Sequence, residues 1–120
     1  MNRDEFRAAT GVAEAVCDRI DLFLNLLEKW QARINLVGPS TMADPWRRHV
    51  LDAAQLLPLL PEGDGPVVDM GAGAGIPGLI LAACGVANVH LIESNGRKCT
   101  FLREAARLMG TPVTVHAHRI

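Results

Sequence analysis

Between residues 12 and 34 apolar side chains recur at helical spacing: Val12, Val16, Ile20, Phe23, Leu24, Leu27 and Ile34, with Asp18, Arg19, Glu28 and Lys29 between them. The pattern predicts an amphipathic helix that buries one stripe. A shorter helix precedes it, started by Asp4, with Gly11 punctuating the join. Gly38-Pro39-Ser40 breaks the pattern, and Asp44-Pro45 reads as an N-cap followed by a proline in the first helical position. A third helix then runs from about Pro45 to Leu57. Pro58, Pro61, Gly63, Gly65 and Pro66 punctuate a turn-rich linker.

From Val67 the pattern changes to short apolar strands alternating with helices. Val67 to Met70 reads as a strand, Gly71 to Gly78 as a loop and Leu79 to Cys84 as a helix. Val89 to Glu93 follows as the second strand, Arg97 to Met109 as the second helix of this half, and Val113 to His116 as the third strand. Parallel neighbours need crossover connections, so the alternation predicts an α/β fold with a parallel sheet and right-handed crossovers. Two segments are expected, a helical N-terminal extension over residues 1–60 and an α/β domain over residues 61–120.

Composition narrows the class only modestly. With 49% apolar and 21% charged residues the chain has a globular balance, and 120 residues suit one small domain or a piece of a larger one. A net charge of −1 gives no whole-molecule field for nucleic acid or membrane, so any basic patch must be local. Cys17, Cys84 and Cys99 show neither paired count nor CxxC spacing. Reduced, buried thiols are therefore expected, without a disulfide framework or a metal site. The N-terminus has no apolar signal region, and no apolar run approaches the roughly 20 residues that cross a bilayer. A cytoplasmic location without a membrane partner is the expectation.

The informative stretch is Val67-Val68-Asp69-Met70-Gly71-Ala72-Gly73-Ala74-Gly75-Ile76-Pro77-Gly78, placed where a strand ends and a helix begins. Glycines let the chain turn sharply and let backbone amides approach a ligand, while the helix N-terminus favours negative groups. About 18 residues beyond Gly75, Glu93 closes the second strand, where a carboxylate can accept hydrogen bonds from ribose hydroxyls. The pair implies a nucleoside ligand. Gly73 to Gly78 also satisfies the dinucleotide fingerprint G-x-G-x-x-G, which keeps an NAD-type ligand open. Asp69 argues for S-adenosylmethionine, because a carboxylate there repels a pyrophosphate but holds a cationic amino group.

With these residues in view the chain resembles the RsmG (GidB) family, which methylates N7 of a guanine in bacterial 16S ribosomal RNA. The resemblance rests on Trp30 followed by Ile34-Asn35-Leu36, on Arg48-His49-Val50-Leu51-Asp52, on the loop from Asp69 to Gly78, and on Gly96-Arg97-Lys98 followed by Phe101-Leu102-Arg103. It implies an α/β fold of N-terminal helices and the first half of a Rossmann-like S-adenosylmethionine-dependent methyltransferase sheet. By the same resemblance the cofactor site comprises Asp69, Gly71, Ala72, Gly73, Gly75, Ile76, Gly78, Glu93, Ser94, Arg119 and Ile120. The backbone around Gly71 and Ile76 holds the methionine part, Glu93 the ribose, and Arg119-Ile120 passes beside the adenine. Glu93 stands where the family pattern has aspartate, and Ala53 where it usually has serine. The chain stops where such a fold begins its next helix, so a truncated enzyme with one open apolar edge, prone to self-association, is expected.

The partner implied is 16S ribosomal RNA or the small ribosomal subunit. Guanine N7 carries a free lone pair, so methylation there needs alignment rather than a general base, and no catalytic residue is singled out. Asn35, Arg48 and His49 are the candidates near the target base or RNA backbone. Arg97, Lys98, Arg103 and Arg107 are candidates for phosphate contacts along one helix. Each has a second reading: a solvated face for the four cations, packing for His49, an ion pair with Asp52 for Arg48. A non-catalytic remnant that binds a ligand or protein also remains open. Trp30 and Trp46 read as packing anchors rather than base-stacking platforms.

Overall fold

Asn2, not Asp4, starts the first helix, because its side chain accepts from the Glu5 amide while the Glu5 carboxylate accepts from the Asn2 amide. In this computed structural model, which describes residues 1–120, α1 spans Arg3–Thr10 and ends on Gly11 in the left-handed conformation. Helix α2 (Glu14–Gln31) follows and buries Val16, Cys17, Ile20, Phe23, Leu24, Leu26 and Leu27, the stripe that its periodicity predicts. Arg3 ties the two helices together through Asp18 and Asp21.

The expected third helix is present as one continuous helical run over residues 45–54, but its first part is a π turn and its end comes slightly before Leu57. A 3-10 turn covers Pro39–Ala43, a π-helical turn covers Trp46–Leu51, α3 is only Asp52–Ala54, and a second 3-10 turn covers Leu57–Leu59. Pro58 lacks an amide and restricts the residue before it, which breaks the α-helical run near its C-terminal end. The wide turn surrounds His49, a buried residue whose ring is bonded to Thr41 of the preceding turn. Asp44 stands at the N-terminal end of this run as expected: its backbone carbonyl accepts from the Arg48 amide, and, against burial, the Met1 ammonium and the Arg47 amide hold its carboxyl below the usual range. The carboxylate also binds the Met1 ammonium at 3.2 Å and Arg47 Nε at 3.4 Å.

The second half follows the sequence pattern closely. Strand β1 (Val67–Met70), α4 (Gly78–Ala83), β2 (Val89–Glu93), α5 (Gly96–Met109) and β3 (Thr114–Ala117) form a parallel sheet in the order β1-β2-β3. Val67 pairs with Val89, Met70 with Ile92, and Glu93 with Ala117. One face of the sheet is closed: Val89 and Leu91 join Leu79, Ile80, Phe101 and Leu102 in a core that also takes in Phe23 and Leu27 of α2. Trp30 stands edge-on to Phe101 at 5.5 Å and Trp46 packs on Phe6 at 5.4 Å, so both tryptophans are packing anchors.

The opposite face is open. Val68 and Met70 of the edge strand β1 are 50% and 61% exposed, which realises the unprotected apolar edge expected of this chain. His90 and His116 stack beside them. No helix is long and apolar enough to cross a membrane. All three cysteines are free.

Candidate functional site

Parallel strands deliver their C-terminal residues to one end of the sheet, and here β1 delivers Asp69 and β2 delivers Glu93. The loop between β1 and α4 is fastened to both strands. The amides of Gly71 and Ala72 each donate to the Ile92 carbonyl at 2.9 Å. The Gly73 amide donates to Glu93 Oε1 at 2.8 Å, and the Gly78 amide donates to Asp69 Oδ2 at 3.1 Å.

Glycine is required at two of these positions for separate reasons. Gly75 has φ of +83°, and a Cβ there would meet Leu79 Cδ1 at 2.5 Å and Leu102 Cδ2 at 3.0 Å. At Gly78 a Cβ would stand 2.3 Å from Leu91 Cδ2 and 2.8 Å from Asp69 Oδ2. The second contact shows why α4 starts where it does: its first residue must press against the side chains of both strands. The Ile76–Pro77 peptide between them is cis.

The two carboxylates differ electrostatically. Burial pushes Asp69 above the usual carboxylate range and nearby Glu93 adds to the rise, against the opposing Gly78 amide. That amide is its only hydrogen-bond partner, while no side-chain oxygen in the chain is both buried and unpartnered. The second oxygen of Asp69 therefore has no partner within the protein and is not fully sealed off. Glu93 is 8% exposed, yet it lies below the usual range. Burial alone would raise it, but the Asn95 and Gly73 amides, the Lys98 charge and the Ser94 amide together outweigh that cost. Its Oε2 accepts from the Asn95 amide at 2.8 Å.

Of the predicted cofactor residues, the structure thus joins Asp69, Gly71, Ala72, Gly73, Gly78 and Glu93 in one bonded unit. Ile76 is half-buried against the core, and Ser94 is exposed just after β2. Ile120 Cδ1 lies 3.8 Å from the position of a Cβ on Gly71, so the chain end returns to the loop. Arg119 and Ile120 also line a shallow groove over the open sheet face with Val68, Met70 and Ile92, which Asp69 and Glu93 do not reach.

The residues predicted to meet RNA lie elsewhere. Asn35 is exposed in a loop organised by Gln31, whose side chain accepts from the Leu36 and Val37 amides and donates to the Val37 carbonyl. Arg48 is exposed and forms no ion pair with Asp52; the five ion pairs of the chain lie elsewhere. His49 is buried, as its packing reading expects. None of the three hydrogen-bonds to the glycine loop. Arg97, Arg103 and Arg107 are exposed on α5, Lys98 is half-buried near Glu93, and none of the four forms an ion pair. Sequence reasoning missed Gln31, Thr41 and Arg19, which donates to the Ala83 carbonyl at 2.7 Å and ties α2 to α4. Their partners lie too far along the chain or in irregular segments for spacing to expose them.

Comparison with known proteins places this geometry in context. The family model described as "rRNA small subunit methyltransferase G" matches residues 16–120. The chain is 53% identical over 120 residues to a ribosomal RNA small subunit methyltransferase G of Paramagnetospirillum magneticum, covering 100% of this chain and 58% of that protein. It is 56% identical over 115 residues to the protein of that name from Rhodospirillum centenum, covering 96% and 53% respectively. For the Rhodospirillum rubrum protein the figures are 51% over 120 residues, 100% and 60%. The chain therefore spans a little over half the length of these curated relatives. With the strand ends, the glycine loop and nearly all of α2 inside the matched region, the chain belongs to the GidB family, rRNA small subunit methyltransferase G.

Proposed function

We propose that this chain supplies the helical leader and the first half of the cofactor site of an enzyme that moves a methyl group from S-adenosylmethionine to N7 of a guanine in 16S ribosomal RNA, in the cytoplasm. Residues 1–60 act as the helical extension and 61–120 as part of the Rossmann-like domain. The observation that carries this reading is Asp69: a half-shielded carboxylate, raised by burial, with one oxygen held by the Gly78 amide at the end of the glycine loop and the other without a partner. Such a group gains from a cationic ligand and is ill suited to a pyrophosphate.

In that reading Asp69 holds the amino group of the methionine part, Glu93 takes the ribose hydroxyls, and Gly71, Ala72, Gly73, Gly75, Ile76 and Gly78 give the ligand a close backbone wall. Ser94, Arg119 and Ile120 border the adenine side. The bound cofactor supplies a methyl group activated on a sulfonium sulfur. The protein contributes alignment, since the accepting nitrogen needs no deprotonation. Arg97, Lys98, Arg103 and Arg107 meet RNA phosphates along α5, with Asn35 and Arg48 contributing from the helical side. The exposed β1 edge and the face at Val68 and Met70 favour pairing with a second copy when the 120 residues are isolated.

Calorimetric titration with S-adenosylmethionine, S-adenosylhomocysteine and NAD tests the cofactor assignment, on the 120-residue chain and on a form extended to the length of its relatives. The extended form is expected to bind both S-adenosyl ligands and to ignore NAD; a preference for NAD overturns the reading. Because the Asp69 carboxyl is raised, affinity for the S-adenosyl ligands falls on acidification at a pH above the ordinary aspartate range, while Glu93 is still ionised. Sedimentation of the short form is expected to show mass rising with concentration.

A further inference from the structure

Helix α4 is held at both ends, and the two holds come from opposite halves of the chain. Its first amide, that of Gly78, donates to Asp69 Oδ2 at 3.1 Å. At the other end the amides of Cys84, Gly85 and Val86 turn back onto the carbonyls of Ile80, Ala82 and Leu81, so the Ala83 carbonyl receives no backbone donor. Arg19 of α2 takes that place, its Nη2 donating to the Ala83 oxygen at 2.7 Å. The last carbonyls of a helix carry its negative end, so a cation is favoured there.

This contact is the one hydrogen bond of the Arg19 side chain, which is half-buried and takes part in none of the five ion pairs. The titratable group it acts on is the Cys84 thiol, which burial pushes up and leaves neutral. Helix α4 has only six residues, all buried, and packs on α2, α3 and β2. A helix this short does not hold itself together. Apolar packing is non-directional and leaves such an element free to slide along its axis, whereas hydrogen bonds at its ends do not. The rod is about 9 Å long, so a shift at Ala83 is delivered to Gly78. There is no slack there: a Cβ on Gly78 would stand 2.8 Å from Asp69 Oδ2 and 2.3 Å from Leu91 Cδ2.

We infer that Arg19 is a positioning residue of the cofactor site: by fixing α4 at Ala83 it keeps the Gly78 amide on Asp69, and so sets how readily Asp69 holds a cationic ligand. The inference rests on the cofactor reading above. It makes the first long helix part of that site without contact with the ligand. Burial raises the Asp69 carboxyl, the Gly78 amide opposes the rise, and Glu93 of β2 adds to it. Loss of Arg19 loosens the amide and leaves burial and Glu93 as they are. The carboxyl then rises further, and on acidification the ligand is released at a higher pH than from the parent.

Two substitutions test this in the form extended to the length of its relatives. Arg19→Gln removes the charge and the reach but keeps a good helix former, while Arg19→Lys keeps the charge and one donor group. Calorimetric titration with S-adenosylhomocysteine is expected to show Arg19→Gln binding about tenfold more weakly, the scale of one hydrogen bond to a charged group. The pH at which its binding is half lost moves upward. Arg19→Lys is expected to regain most of the affinity and the parent's pH midpoint. If Arg19→Gln does not fold, Arg19→Met, which keeps the apolar stem, takes its place. A residue that serves stability alone lowers the melting temperature and moves neither affinity nor pH midpoint; that result overturns the inference, as does an Arg19→Lys protein no better than Arg19→Gln. A parent that binds no S-adenosyl ligand brings down the cofactor reading and this inference together. A parent that binds, with Arg19→Gln its equal, brings down this inference alone.

Discussion

Gly78→Ala is expected to destabilise the protein by about 1–3 kcal/mol, the usual range for forcing extra volume into a packed core, and to abolish binding of S-adenosyl ligands. The added Cβ would stand 2.3 Å from Leu91 Cδ2 and 2.8 Å from Asp69 Oδ2. Leu91 is fully buried in the central strand and has no open space to swing into. Displacing Asp69 instead breaks its bond with the Gly78 amide and turns the carboxylate away from the ligand side. Gly96→Ala is the control: nothing lies within 4 Å of its Cβ position and it opens α5, so alanine there is neutral or stabilising. Thermal melting and calorimetry on the same pair of variants check this, and an unchanged Gly78→Ala protein contradicts the packing argument.

Glu93→Gln is expected to have the second large effect. The carboxylate receives the Gly73 amide on one oxygen and the Asn95 amide on the other, so an amide side chain must turn its own donor toward one of them. Hydrogen bonds to a charged acceptor are worth about 1.5–3 kcal/mol each, and at least one is lost. Because folding lowers the Glu93 pKa, its stabilisation is complete above the unfolded-state carboxylate pKa and disappears as pH falls through the lowered folded value. The gap in stability between parent and Glu93→Gln therefore closes on acidification. Denaturant melts at a series of pH values measure it, and a gap that stays constant excludes the charge as its source.

These two residues also show how much of the molecule was legible beforehand. The bounds of β1 and β2, the stripe on α2 and the glycine loop were all readable, because apolar period and turn residues act over a few positions. Asp69 and Glu93 were identifiable as a pair of strand-end carboxylates, but not as the fasteners of Gly78 and Gly73, since those contacts depend on how the loop folds back. The π turn within the third helix was not legible for the same kind of reason. Trp46, Val50 and Ala53 have helical spacing, yet the backbone widens where His49 commits its ring to Thr41, and the Asp44 carboxylate also binds Met1 and Arg47. Local signals report local preferences; partners drawn from distant segments decided the rest.

The strand order of the sheet has a meaning for the sequence of events in synthesis. Because β1, β2 and β3 lie side by side in the order in which they are made, each pairing needs only the crossover just completed, first Val67 with Val89 and then His90 with Thr114. Helix α2 is in the opposite position: it emerges early, but Phe23 is buried 6.1 Å from Phe101, a residue made much later. The Phe23 part of its apolar stripe must wait until α5 leaves the ribosome, although α1 and α4, which also pack on α2, are made earlier, so the first long helix to be synthesised completes its packing late.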